Sequence, residues 1–158
     1  MISSMDNIKK YKKLKAGLNK ALAAEMGAFW AFGGHTDKED DKQLKQIIMQ
    51  VRLDELNHID TLIFLLKKHG VRRNRLREAA FELIGRTVSF ACKFFPNHRI
   101  NSVASYMEKL GAANYRELAG YARELNLPYV EQQMVWMWQQ ESTHQYFFDK
   151  MTELYNAK

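Results

Sequence analysis

The sequence predicts an all-α protein, a four-helix bundle with an additional amphipathic helix in the long crossover between its second and fourth helical segments. Three observations carry this expectation. Apolar residues recur at three- and four-residue spacing through four long stretches. No stretch alternates apolar and polar residues as a half-buried strand does. Only 2 prolines and 8 glycines interrupt the 158 residues, so long helices can run unbroken. One domain over 1–158 suits that length, and four amphipathic stripes bury one another most simply as a bundle.

The first segment spans 6–34, with Tyr11, Leu14, Leu18, Leu22, Glu25, Phe29 and Phe32 on one stripe. Gly33 and Gly34 are expected to end it. Thr36 and Glu39 then read as a capping box opening a second segment over 37–69. Its stripe is Leu44, Ile48, Val51, Glu55, His58, Ile59, Leu62 and Leu66, and Gly70 is its stop. A basic stretch, 71–77, leads into a third segment over 77–95, broken by Pro96 and Asn97. The fourth, over 98–125, carries Ala104, Glu108, Ala112, Tyr115, Leu118, Ala119, Ala122 and Leu125. Pro128 suits the first turn of a fifth, since proline there loses no needed hydrogen bond. Met134, Met137, Trp138, Glu141, His144, Phe148 and Met151 share one side of it, and the Met and Trp residues near 134–138 read as core packing.

Composition narrows the chemistry. The single cysteine, Cys92, excludes an intrachain disulfide and any cysteine-based zinc or iron–sulfur site, and suits a reducing compartment. The N-terminus lacks the apolar core of a signal peptide, and no stretch reaches the length of about 20 apolar residues that spans a bilayer. The net charge of +6 permits an anionic partner, but no nucleic-acid partner is expected.

Two Glu-x-x-His pairs stand out, Glu55 with His58 and Glu141 with His144. Residues three apart share a helix face, so each pair can address one point. In both helices the pair interrupts an apolar stripe. Glu25 and Glu108 interrupt the stripes of the other two long segments in the same way, whereas Glu117 lies nine residues from Glu108, on the opposite face. The expected interior therefore holds four carboxylates and two imidazoles. Burying carboxylates unpaired costs several kcal/mol each, and no lysine or arginine lies on these stripes. Two divalent cations balance the four charges, and oxygen and imidazole donors suit iron, with manganese the alternative. One Glu from each of two helices and Glu-x-x-His from two others is an established pattern of ferritin-like dimetal proteins. Expected metal ligands are thus Glu25, Glu55, His58, Glu108, Glu141 and His144. His35, His69 and His98 fall at expected helix ends and read as solvent-facing or capping groups.

With these residues in view the chain resembles the demethoxyubiquinone hydroxylase family, the ferritin-like di-iron enzymes of ubiquinone biosynthesis. Glu25, Met26, Gly27 and Ala28, followed by Phe32 and Gly34, are similar to that family's Glu-Tyr-Gly-Ala stretch with its downstream aromatic and glycine. The intervals from Glu25 to Glu55 and from Glu55 to Glu108 also fit, the second holding the extra helix. The resemblance implies two iron ions, O2-dependent hydroxylation of an apolar, quinone-like substrate, bridging roles that include Glu55 and Glu141, and a catalytic Tyr115 near the substrate channel. Asn114 departs from the family, which has histidine before that tyrosine. Two other readings stand beside it: a ferroxidase or rubrerythrin-like peroxide scavenger, and a non-enzymatic helical scaffold with a vestigial site.

The segment 77–95 has a wide apolar side, with Leu83, Ile84, Val88, Phe90, Phe94 and Phe95, and a polar stripe of Glu78, Glu82, Arg86, Ser89 and Lys93. Arg72, Arg73, Arg75, Arg77 and Arg99 flank it. Such a helix suits peripheral contact with anionic lipid, or packing against the bundle or a homodimer partner. The expected location is cytoplasmic, at most peripheral on the inner face of the membrane.

Overall fold

Helix ends are set by local capping and by the few residues that leave the right-handed region. The computed structural model of the chain describes residues 4–157. Within them the helices are α1 (Ser4–Lys38), α2 (Lys42–Lys68), α3 (Arg75–Ala91), α4 (Asn97–Glu124) and α5 (Pro128–Asn156), with a 3₁₀ turn at Cys92–Phe94 and no strand among the described residues. Asp41 caps α2, its Oδ1 accepting from the backbone N–H groups of Gln43 and Leu44 at 2.9 and 3.2 Å. Asn74 caps α3 by accepting from the N–H of Arg77 at 3.1 Å. Gly70 and Asn126 turn the chain after α2 and α4 at φ 61° and 54°.

Two boundaries differ from the sequence expectation. Helix α1 runs through Gly33 and Gly34 to Lys38, and the Thr36 hydroxyl donates to the carbonyl of Phe32 instead of opening a new helix. The cap of α2 is Asp41. Buried Glu39 accepts from the Asp41 N–H, Asn97 Nδ2 and the Tyr155 hydroxyl, which ties the α1–α2 turn to α4 and α5.

Helices α1, α2, α4 and α5 surround one interior. Pairs such as Arg52 with Phe29, Lys10 with Glu124, and Phe64 with Tyr129 make neighbouring helices antiparallel. Two apolar clusters fill the interior. One holds Leu18, Leu22, Leu62, Leu66, Leu118 and Met134. The other holds Phe32, Ile48, Val51, Ala104, Phe148 and Met151. The inward Glu and His residues fall between these clusters along each helix.

Helix α3 carries the crossover along the outside of α1, parallel to it. Glycines permit the contact. A Cβ on Gly85 would overlap the backbone oxygen of Gly27, and one on Gly34 would overlap that of Ser89. Gly34 is thus a packing residue within α1, not its stop. The side of α3 against α1 is the small and polar one. Glu78 and Gly85 are buried, while Leu76, Leu83, Ile84, Val88, Phe90 and Phe94 are exposed. Buried Glu78 is paired with Arg73 at 2.8 Å and Arg75 at 3.2 Å.

Candidate metal centre

Four helices deliver one turn each to the same level of the bundle. Glu25 comes from α1, Glu55 and His58 from α2, Glu108 from α4, and Glu141 and His144 from α5, all buried. Their donor atoms form two overlapping groups. Glu25, Glu55, His58 and Glu141 each offer an atom within 4.8 Å of the others, and so do Glu55, Glu108, Glu141 and His144. Glu55 and Glu141 belong to both.

Both imidazoles turn Nδ1 inward. His58 Nδ1 lies 3.2 Å from Glu141, 3.6 Å from Glu55 and 3.7 Å from Glu25. His144 Nδ1 lies 3.3 Å from Glu108 and 3.6 Å from Glu55. The outward Nε2 of His58 meets Gln140 Oε1 at 2.9 Å, and that of His144 meets Asp54 Oδ2 at 3.1 Å. With Nε2–H donated to each oxygen, each imidazole in its neutral form would present an Nδ1 lone pair to the carboxylates.

The protein alone satisfies this cluster poorly. Both oxygens of Glu55, Oε1 of Glu141 and Nδ1 of His58 are buried without a hydrogen-bond partner. Such atoms each cost about 1–3 kcal/mol or more when nothing is bound to them. Burial and the neighbouring charges of Glu25 and Glu141 push Glu55 well above the ordinary carboxylate range. Burial, with Glu141 and Glu55, does the same to Glu108. Burial and the Glu25 charge raise Glu141 to about 7. Burial would also raise Glu25, but the neighbouring Glu55 carboxyl and His58 imidazole bring it down to about 2. Burial opposes a charge on His58, yet the carboxylates of Glu141, Glu25 and Glu55 close to its Nδ1 lift it far above the usual imidazole range, so without a cation Nδ1 also carries a proton. The like charges are thus relieved by protons, which cations can replace. The unpartnered atoms and the oxygen and nitrogen donor set fit a pair of divalent ions.

Tyr115, fully buried, donates its hydroxyl to Glu25 Oε1 and sets its ring edge-on to His58, centroids 5.9 Å apart. Burial and the Glu25 charge raise its pKa, so it stays a phenol. A cavity that touches His144 lies elsewhere, between α2 and α5. It measures about 430 Å³ and is lined by Gln46, Ile47, Gln50, Asp54, His144 and Phe147.

His35 departs from the expectation of a helix-end group. It is 2% exposed, stacked on Phe32 and Phe148, and faces Asn101. His69 and His98 are half-buried. Sequence reasoning missed Asp54, Gln140 and Gly111. The first two precede the two Glu-x-x-His pairs directly, and each contacts the histidine of the other helix. Gly111 lies one turn beyond Glu108, against Glu141. No protein-family model matches the chain, and no curated protein matches it.

Proposed function

We propose that this chain is a ferritin-like di-iron oxidoreductase that uses O2 on an apolar, quinone-like substrate. The observation that carries the metal reading is the convergence of four buried carboxylates and two inward Nδ1 atoms, several of them without any partner in the protein. Glu55 and Glu141 would be shared between two ions, Glu25 and His58 would complete one position, and Glu108 and His144 the other. Manganese is the alternative metal. Bound there, a pair of iron ions would supply electrons for the reduction of O2. Tyr115 holds Glu25 in place through its hydroxyl. Leu22, Leu62, Phe32 and Val51, in the clusters on either side, exclude water. A vestigial scaffold is the weaker reading, because unpartnered buried carboxylates destabilise a fold that has no use for them.

The substrate class rests on the resemblance of the Glu25 stretch to demethoxyubiquinone hydroxylases and on the outward apolar face of α3. Leu76, Leu83, Ile84, Val88, Phe90 and Phe94 form an exposed surface near Arg72, Arg77, Lys93 and Arg99. Such a face favours peripheral contact with anionic lipid, where an apolar substrate is dissolved. No helix among the described residues is long and apolar enough to cross a membrane.

A second reading, a ferroxidase or peroxide scavenger, is favoured by Asn114, which stands where the resembled family has histidine. The test is anaerobic Fe(II) loading followed by O2, with and without a reduced quinone. Oxygen incorporated into the quinone supports the hydroxylase. Rapid iron oxidation with the quinone unchanged supports the second reading.

A further inference from the structure

The two histidines of the cluster are held by chemically different partners. His144 Nε2 lies 3.1 Å from a carboxylate, Asp54, and His58 Nε2 lies 2.9 Å from a neutral carboxamide, Gln140. Gln50 Nε2 donates to the second oxygen of Asp54 at 3.0 Å and so fixes its orientation. Among the described residues Asp54 makes no ion pair with lysine or arginine, and its only ionic neighbour is His144.

We propose that the two halves of the metal centre are inequivalent, and that the His144 half takes up its cation first and more tightly. This rests on the dinuclear reading above. A carboxylate accepting the outer N–H of an imidazole increases electron density at the inner nitrogen, which strengthens it as a ligand; a carboxamide does so far less. Removing such a partner costs about 10–100-fold in metal affinity. The terminal carboxylates differ in the same sense. Glu25, in the His58 half, already gives one oxygen to the Tyr115 hydroxyl. Access adds to the difference. Asp54 and His144 line the cavity of about 430 Å³ between α2 and α5. His58 is fully buried, with Trp136 and Tyr115 edge-on to its ring at 5.4 and 5.9 Å. The His144 half therefore lies beside this cavity, and the His58 half does not.

The experiment is a titration of the full-length protein with Co(II), read by its d–d absorption. Wild type is expected to bind in two steps, the first at least tenfold tighter. Asp54→Asn keeps the shape and a hydrogen-bonding group, and should weaken the first step about 10–100-fold. Gln140→Glu gives His58 its own carboxylate and should tighten the weaker step, a gain that misfolding cannot produce. Two indistinguishable ions in wild type, or a first step unchanged in Asp54→Asn, would overturn the inequivalence while leaving the dinuclear site standing. No Co(II) uptake by wild type would overturn both.

Discussion

Gly111 on α4 faces Glu141 on α5 so closely that a Cβ at position 111 would overlap the Oε2 carboxylate oxygen. The absence of a side chain one turn beyond Glu108 is therefore what lets a shared carboxylate occupy the centre of the bundle. Gly111→Ala should displace Glu141, which both donor groups need, while improving helix propensity by about 1 kcal/mol. Iron content per chain should fall at least tenfold at limiting metal, with helical circular dichroism unchanged. Full iron content in the variant would contradict the claim that Glu141 needs position 111 to lack a side chain.

The α1–α3 contact makes a separate prediction. Gly85→Val places bulk on the backbone of Gly27. Overpacking of this kind typically costs about 1–3 kcal/mol. Chemical denaturation should register that loss. Because α3 supplies no donor to the cluster, the protein that remains folded should hold as much metal as wild type.

The exposed side of α3 bears on membrane contact. Leu83→Asp combined with Phe94→Glu alters side chains that are 66% and 71% exposed, so stability should change by less than about 1 kcal/mol. Sedimentation with vesicles rich in anionic lipid should fall strongly, and wild-type binding should weaken with salt. Equal binding by wild type and the double variant would remove α3 and the 3₁₀ turn after it as the contact surface.

His35 predicts a pH dependence away from the Glu and His cluster. Burial pushes its imidazole from the ordinary 6.5 down to about 4, against the opposing influence of Asn101 and Glu39. The folded-state pKa lies below the unfolded one, so the unfolded chain binds more protons between those values. Stability is then complete above about pH 6.5 and is lost as the pH falls toward 4. The loss between about pH 7.5 and 5 amounts to roughly 2 kcal/mol. It is read as the difference between the urea-denaturation curves of wild type and His35→Gln at each pH. A difference that does not change with pH would show that His35 titrates normally.

Helical periodicity made the all-α architecture legible, and the breaks in apolar stripes pointed to the six inward Glu and His residues. Spacing along one helix is enough for that, because residues three and four apart share a face. Relations between helices were not legible. Asp54 and Gln140 lie beside the stripes, and only the antiparallel packing of α2 on α5 brings each to the other helix's histidine. Gly33 and Gly34 read as a helix end because glycine is a poor helix former; the burial of α3 against Gly34 outweighs that cost. Ending α1 there made His35 a terminal residue, whereas the continued helix carries it into the core beside Phe148. The open apolar side of α3 follows from the same contact, since only its small and polar side can approach α1 so closely.

The count of Fe(II) ions bound per chain under anaerobic conditions tests the central claim most directly. On the proposed reading the four buried carboxylates hold two divalent ions, and Glu55, whose two oxygens are unpartnered, belongs to both donor groups. Two equivalents in wild type and none or one in Glu55→Ala is the expected result. Less than one equivalent in wild type, or two in Glu55→Ala, would contradict the account.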